Sequence, residues 1–214
     1  MNQEAASNRG ETRNFDQLLE IARQGDRQAL GDLLQAYYNY LQILATTQLD
    51  RRLQRRLSPA DLVQDTLLAA QRDFPDFRGQ SEREMLGWLR QILINSLHRA
   101  IEVHLKAGKR DLRREVSLDE LSQGVDRSAA NFGAMLASDG TSPSSPVRAR
   151  ERSVALANEL AKLPEHYREV IILRNLQALT FEEIALRMER NVGAVRMLWL
   201  RAIDKFKETC VPID

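Results

Sequence analysis

Hydrophobic residues recur at steps of three and four along most of the chain, which is the spacing of one buried helical face. The clearest example is the stretch 180–207. Thr180 and Glu183 have the spacing of a capping box at the start of one helix, and Asn191 can cap a second. The second helix has these apolar positions: Val195, Leu198, Trp199, Ala202, Ile203 and Phe206. The pattern predicts two helices joined by a short turn.

The outer face of the second predicted helix is basic. Its charged residues are Arg196, Arg201, Asp204, Lys205 and Lys207. Two helices with a basic second member are typical of a helix-turn-helix, which places that helix in the DNA major groove. An ordinary helical hairpin with a solvated charged face is the alternative, and periodicity alone does not separate the two.

Helical periodicity also dominates the first half of the chain. A helix is predicted over 15–24, ended by Gly25, and Asp26 caps a second helix that continues to about Thr47. Ser58 and Pro59 have the residue types of an N-cap and first helical position, and they open a third helix. A fourth is predicted from 84 to about 105.

Between 115 and 147 the composition changes, because Ser, Gly, Asp and Ala accumulate. This composition predicts a flexible linker with at most a short helix near 118–121. The expected fold is all-α, with two small helical domains joined by that linker and a helix-turn-helix in the second. The predicted segments are a disordered N-terminus 1–14, a helical domain 15–114, the linker 115–147, a helix-turn-helix domain 148–208 and a tail 209–214.

Composition limits the partners and the compartment. The net charge of the 214 residues is +1, so nucleic-acid binding would depend on local basic patches. The single cysteine, Cys210, excludes a disulfide framework within the chain and fits a reducing compartment. No signal-like N-terminus and no apolar run near the roughly 20 residues of a membrane span is present. We therefore expect a soluble, cytoplasmic protein without membrane insertion.

Two surfaces of the first domain have unusual patterns. On the third helix a half-polar stripe at i, i+3, i+4 and i+7 consists of Asp61, Gln64, Asp65 and Leu68. An apolar residue within an exposed polar stripe indicates a partner surface. On the fourth helix Trp88 and Asn95 lie seven residues apart, and basic residues accumulate from 106 to 114. Rings beside cations suit single-stranded nucleic acid, although Trp88 in the core and a frayed basic helix end are the simpler alternative.

Several short motifs occur in a characteristic order. They are Gly25-Asp26-Arg27-Gln28-Ala29-Leu30, Asp61-Leu62-Val63-Gln64-Asp65-Thr66, Phe77-Arg78-Gly79, Trp88-Leu89-Arg90, Leu163-Pro164-Glu165, Arg168-Glu169-Val170 and Glu182-Glu183-Ile184-Ala185. In order and spacing they resemble the extracytoplasmic-function (ECF) sigma factors of bacterial RNA polymerase, within the sigma-70 superfamily. The resemblance covers about 25–114 and 155–207.

The resemblance implies a sigma factor that binds core RNA polymerase, directs it to specific promoters and helps to melt the −10 region. It implies that the polymerase is bound by Asp61, Gln64, Asp65 and Leu68. It assigns the −10 DNA to Phe77, Arg78, Trp88, Asn95, His98, Arg99, Lys106, Lys109 and Arg110, with Phe77 and Asn95 holding a flipped base. It assigns the −35 duplex to Arg190, Asn191, Val192, Gly193, Arg196 and Arg201. An anti-sigma factor is a further candidate partner.

Two other classes of function are alternatives to the sigma factor. A helix-turn-helix regulator with an N-terminal dimerisation or sensor domain would have no need for an acidic stripe beside an aromatic and basic surface. An enzyme finds little support, because His98, His104 and His166 lack metal-ligand spacing and no Gly-rich phosphate loop is present. We expect no catalytic residues, no metal and no cofactor.

The helix-turn-helix departs from the family pattern both in its turn and in its second helix. Glu189 occupies the position of a common turn glycine. If that position needs a positive φ, glutamate costs about 1 kcal/mol there. Met197, Leu198 and Trp199 also make the second helix more apolar than is usual in the family, so the promoter sequence does not follow by analogy.

Overall fold

The structure is a computed structural model that describes residues 15–49, 53, 56–107, 117–137 and 146–209. Every regular element within these ranges is a helix, which confirms the all-α prediction. The α-helices are α1 (Phe15–Arg23), α2 (Arg27–Gln35), α3 (Tyr38–Gln48), α4 (Pro59–Asp73), α5 (Glu82–Ala107), α6 (Leu118–Ala137), α7 (Pro146–Lys162), α8 (Glu165–Ile171), α9 (Phe181–Met188) and α10 (Val192–Thr209). A 3₁₀ turn (Phe74–Asp76) follows α4, and a π-helical turn (Ile172–Leu176) follows α8.

The predicted end of the first helix and the predicted starts of the second and third depend on local capping, and the structure confirms these three boundaries. Gly25 adopts a φ of +96° after α1, a backbone conformation that glycine reaches without a Cβ clash. The Asp26 carboxylate accepts hydrogen bonds from the backbone N–H groups of Gln28 and Ala29 at the start of α2. The Ser58 hydroxyl does the same for α4, and Pro59 is its first residue.

The single helix predicted over 26–47 is wrong, because α2 and α3 are separate. At the break, the Tyr37 N–H donates to the carbonyl of Leu34, three residues back. This tighter bonding of the 3₁₀ type interrupts the α-helical series. Tyr37 is buried, and its hydroxyl lies 3.5 Å from a carboxylate oxygen of Glu82. The break thus places an aromatic ring in the core without glycine or proline.

The predicted linker contains a helix of 20 residues, α6, instead of the short helix expected near 118–121. Its buried apolar residues, Leu121, Val125 and Phe132, recur along one face and belong to the core. The Phe132 ring lies 6.5 Å from the ring of Tyr40 in α3. Composition did not indicate this helix, because Ser, Gly and Ala are typical of linkers. The same residues are also small enough to let helices approach closely.

Helix α6 contacts both halves of the chain. The Gln48 side-chain amide at the end of α3 donates to the Ser128 hydroxyl at 3.3 Å. The Asn131 amide donates to the Leu176 carbonyl, in the π-helical turn, at 2.9 Å. Helices α3 and α7 also meet directly, through a 2.9 Å hydrogen bond between the side chains of Asn39 and Asn158. The buried side chains therefore form one hydrophobic cluster across both halves.

Candidate functional site

The stripe predicted on the third helix lies on the outer face of α4. Asp61, Gln64 and Asp65 are exposed, and Leu68 is 63% exposed. The opposite face of α4 is buried through Leu62, Val63, Thr66 and Ala70. Two carboxylates, one amide and one apolar side chain are thereby presented together, which suits a protein surface that carries cations and an apolar contact.

A groove of about 590 Å³ runs along the surface where α4 meets α5. Asp61, Asp65 and Leu68 line one wall, while Asn95 and Arg99 of α5 line the other. The sequence predicted the α4 residues and the α5 residues to form separate surfaces. The packing of α4 against α5 places both on one groove. The Asn95 side-chain oxygen accepts a hydrogen bond from the Gln91 amide at 3.3 Å.

Sequence reasoning missed Val103, which also lines this groove and is 60% exposed. The available signal was its position outside the apolar stripe of α5. That stripe includes Leu93, Leu97 and Ile101, all of which are buried.

Three aromatic rings form a cluster at the end of α4. Phe77 lies 4.7 Å from Trp88 and 6.1 Å from Phe74, measured between ring centroids. Phe77 is only 7% exposed, so its ring is part of the core rather than a stacking surface for a base. Trp88 is half-buried on α5. The backbone of Gly79 lies close to the Phe77 ring. A Cβ at this position would be 2.7 Å from Phe77 Cε2 and 2.8 Å from Glu84 Cβ, so only glycine fits without a shift.

The remaining residues assigned to −10 DNA lie around this cluster or outside the described residues. Arg78 is exposed, and its guanidinium donates to the Pro75 carbonyl at 2.6 Å. His98 is half-buried and Arg99 is exposed on α5. Lys106 lies in the last turn of α5, but its side chain is outside the described set, as are residues 109 and 110.

The turn of the predicted helix-turn-helix has the expected caps. The Thr180 hydroxyl accepts from the Glu183 N–H at 3.2 Å, and the Glu183 carboxylate accepts from the Thr180 N–H at 2.7 Å. The carboxylate accepts hydrogen bonds from both the backbone N–H and the hydroxyl of Thr180, and these two bonds stabilise its charged form and lower the pKa of Glu183. Glu189 ends α9 with φ 55° and ψ 42°, the left-handed conformation that the missing turn glycine would favour. The Asn191 side chain caps α10 by accepting from the Ala194 N–H at 2.7 Å.

Three arginines assigned to the −35 duplex are exposed at α10 or just before it: Arg190, Arg196 and Arg201. The guanidinium of Arg196 lies 3.5 Å from a carboxylate oxygen of Glu182 and 5.5 Å from the ring centre of Phe181. Its side chain therefore extends along α9. Of the other assigned residues, Gly193 is exposed, while Val192 packs partly against the core.

Trp199 belongs to the packing between the two helices of the motif. Its indole N–H donates to the side-chain oxygen of Asn175 at 2.9 Å. Its ring meets that of Phe181 edge-on, with centroids 5.8 Å apart. The guanidinium of Arg174 lies 4.7 Å from the centre of the Phe181 ring. Trp199 is thus partly buried and positions α9 against α10.

The structure also exposes two apolar residues on α10 that were not assigned a role: Met197, at 51%, and Leu200, at 47%. Their signal in the sequence was a step of three residues on the side opposite Val195 and Ala202.

Among the described residues, no group of three or more His, Cys, Asp or Glu side chains has the arrangement of a metal site. In the same part of the chain, no helix combines the length and hydrophobicity needed to cross a membrane.

Comparison with known proteins adds a family to this geometry. Residues 153–206, which contain α8, α9 and most of α7 and α10, match the family model described as sigma-70, region 4. This match covers the helix-turn-helix and does not extend to the first helical bundle.

The relatives are similar over almost their entire length. The ECF RNA polymerase sigma-E factor of Haemophilus influenzae is 29% identical over 196 residues, 92% of this chain and 95% of that protein. The RNA polymerase sigma-H factor of Pseudomonas aeruginosa is 28% identical over 200 residues, 92% of this chain and 94% of that protein. The ECF RNA polymerase sigma-E factor of Escherichia coli is 27% identical over 203 residues, with the same coverage of 92% and 94%.

Proposed function

Because the chain belongs to the ECF sigma factors of the sigma-70 family, we propose that it binds core RNA polymerase, directs it to specific promoters and helps to open the −10 region. The observation that carries this proposal is the similarity over 92% of the chain to proteins named as sigma factors. That similarity includes the first bundle, which a conventional helix-turn-helix regulator would replace with a dimerisation or sensor domain.

Core polymerase binds the outer face of α4 in this proposal. Asp61 and Asp65 are exposed carboxylates one helical turn apart, and Gln64 and Leu68 extend the same face. Carboxylates form strong charge-assisted hydrogen bonds with arginine and lysine. The exposed Leu68 adds an apolar contact, and burial of a leucine side chain contributes roughly 1.5–3 kcal/mol.

The melted −10 strand contacts α5. Asn95 is exposed and can bond the edge of an unpaired base, while Arg99 one turn further can neutralise a phosphate. Trp88 and the buried Phe77 hold this surface from beneath through their ring contact. We therefore assign Phe77 a supporting role, because a ring that is 7% exposed offers little surface to a base.

The −35 duplex contacts α10. Arg190 is exposed just before the N-terminus of this helix, and Arg196 and Arg201 follow on its outer face. Exposed cations on the second helix of this motif suit both phosphates and guanine edges in the major groove. Asn191 serves first as the helix cap, since its side-chain oxygen is already bonded to the Ala194 N–H.

The chain itself supplies binding energy and orientation, and the polymerase supplies the catalysis. We place it in the cytoplasm with that enzyme. An anti-sigma factor remains a proposed partner, and the exposed faces of α4 and α10 are where such a protein would compete.

Transcription on a genomic fragment library tests the proposal. Core polymerase is assayed with and without the chain, and the 5′ ends of the transcripts are sequenced. We expect new start sites that share two sequence blocks upstream and that appear only when the chain is added. Transcripts that are identical in both reactions would contradict the proposal.

A further inference from the structure

The outer face of α10 has an apolar centre. Gly193, Met197, Leu200 and Asp204 follow one another at i, i+4, i+7 and i+11, so they form one line along the helix. All four are exposed. This line lies opposite the buried side chains Val195, Ala202 and Phe206.

Cations lie on both sides of the line. Arg196 is one turn before Leu200, and Arg201 is one turn after Met197. Both guanidinium groups belong to exposed residues. The two apolar side chains are therefore flanked by arginines, although Asp204 continues the line and Glu182 of α9 lies 3.5 Å from the Arg196 guanidinium.

The pattern of charged and apolar side chains on this face fits the DNA major groove. Phosphates border the major groove on both sides, and the C5-methyl of thymine is the apolar group on its floor. A helix with apolar side chains along its centre and arginines along its flanks matches that distribution.

We infer that Met197 and Leu200 read thymine methyl groups in the −35 duplex. This inference rests on the proposed function and specifies one element of its sequence recognition. Arg196 and Arg201 place the helix through phosphate or guanine contacts, and the two apolar side chains select thymine over cytosine at the facing base pairs.

Replacement of thymine by uracil tests this inference directly, because uracil keeps every base-pairing group and lacks only the methyl. Holoenzyme reconstituted from core polymerase and the full chain first selects its preferred −35 duplex from a randomised library. Each thymine in that duplex is then replaced singly by uracil, and the dissociation constants are compared. We expect about fourfold weaker binding at one or two positions, which corresponds to the roughly 0.8 kcal/mol for burial of one methyl-sized group.

The variants assign that loss to a side chain. Met197→Ala or Leu200→Ala should bind the thymine duplex less tightly and should equalise the thymine and uracil duplexes at one of those positions. Met197→Leu should keep the preference at its position. Leu186→Ala is the matched control, since Leu186 is 81% exposed but lies on α9, and it should keep the full preference.

Two results would overturn the inference. One is equal binding of thymine and uracil duplexes by the unaltered protein at every position. The other is an unchanged preference in both alanine variants, which would assign the apolar centre to a protein partner instead. A holoenzyme that selects no sequence at all would overturn the proposed function together with this inference, whereas selection without methyl sensitivity would overturn only the inference.

Discussion

The side-chain amide of Gln177 donates a 2.8 Å hydrogen bond to the backbone carbonyl of Thr47, which is 130 positions earlier in the chain. The same side chain accepts from Arg187 at 3.1 Å, and Arg187 also donates to the Leu49 carbonyl at 3.3 Å. Thr47 and Leu49 lie at the C-terminal end of α3, where carbonyl groups lack partners within the helix. The C-terminal half therefore caps a helix of the N-terminal half, with a cation at its negative end.

Removal of this cap should loosen the attachment between the two halves. One neutral and one charged hydrogen bond contribute together about 2 kcal/mol. We expect Gln177→Ala combined with Arg187→Ala to shift the equilibrium between attached and separated halves by roughly thirtyfold. Small-angle X-ray scattering should record a larger radius of gyration.

A double variant in exposed ion pairs is the control for that measurement. Lys162 pairs with Glu159, and Lys205 pairs with Glu208, each within one helical turn. Lys162→Ala with Lys205→Ala should leave the scattering unchanged. If the Gln177 and Arg187 variant also scatters like the unaltered protein, the hydrophobic cluster shared by the two halves is sufficient to hold them together without the cap.

The acidic face of α4 should be essential for polymerase binding. Asp61→Arg with Asp65→Arg reverses both charges and places them against the cations expected on the partner, so co-purification with core polymerase should be lost. Both residues are exposed, and the helical circular-dichroism signal should therefore persist.

A second acidic pair provides the matched control. Asp16 and Glu20 have the same spacing of four residues and are exposed on α1, with Asp16 in the first turn as Asp61 is in α4. Asp16→Arg with Glu20→Arg makes the same change of net charge and should leave co-purification intact. Loss of binding in both variants would attribute the effect to net charge alone.

Among the residues that the structure describes, two other than glycine have a positive φ: Ala178 at 56° and Glu189 at 55°. The left-handed conformation costs a residue with a Cβ about 1 kcal/mol. We expect Glu189→Gly and Ala178→Gly each to raise the free energy of unfolding by up to about 1 kcal/mol. Urea denaturation followed by circular dichroism measures this change.

The same replacement in a regular helix should have the opposite sign. Ala194 lies in the first turn of α10 and is exposed. Ala194→Gly should lower the free energy of unfolding by roughly 0.5–1 kcal/mol, because glycine loses more backbone entropy on folding. A loss of stability in Ala178→Gly as well would show that its backbone conformation is not strained.

The sequence predicted the features of this fold that depend on local chemistry. Caps at Asp26, Ser58, Thr180 and Asn191 follow from residue type and spacing, and the structure confirms all four. The family pattern has glycine at the position of Glu189, which made a positive φ a possibility to test there, and the structure shows a φ of 55°. Each of these features involves groups within a few residues of one another.

Features that depend on tertiary packing were not predictable in the same way. The break before α3 is stabilised by the burial of Tyr37, and periodicity over 26–47 carries no sign of it. The resemblance assigns Phe77 to a flipped base, yet the close approach of Gly79 and Trp88 places its ring in the core. The groove that unites Asp65 with Asn95 exists only because α4 packs against α5.

The capping box of α9 should make stability depend on pH. Hydrogen bonds from the backbone and hydroxyl of Thr180 hold the pKa of Glu183 below its ordinary value. Their contribution is therefore fully present above the pKa of the unfolded chain, about 4.3, and is lost as the pH falls through the lower folded value. The difference in unfolding free energy between the unaltered protein and Glu183→Gln should shrink below about pH 4.

Glu165→Gln is the control for that titration. Glu165 also lies in the first turn of a helix, but Pro164 at its N-cap makes no side-chain capping bond. Its replacement should give a smaller change with pH. An equal pH dependence in the two variants would assign the effect to the helix dipole instead of the capping box.

Asn95 should act in promoter opening more than in the first encounter with DNA. Its side chain is exposed on α5 and can bond an unpaired base only after the strands separate. Asn95→Ala should therefore reduce open complexes about fivefold, as expected for one hydrogen bond of about 1 kcal/mol, while closed-complex binding changes little. Permanganate reactivity of unpaired thymines measures the first quantity, and a gel shift on ice measures the second.

Gln91→Ala is the matched control, because it removes the amide that bonds Asn95 at 3.3 Å and leaves Asn95 itself in place. Equal losses of closed and open complexes in Asn95→Ala, or an equal loss of opening in Gln91→Ala, would show that Asn95 does not read the melted strand.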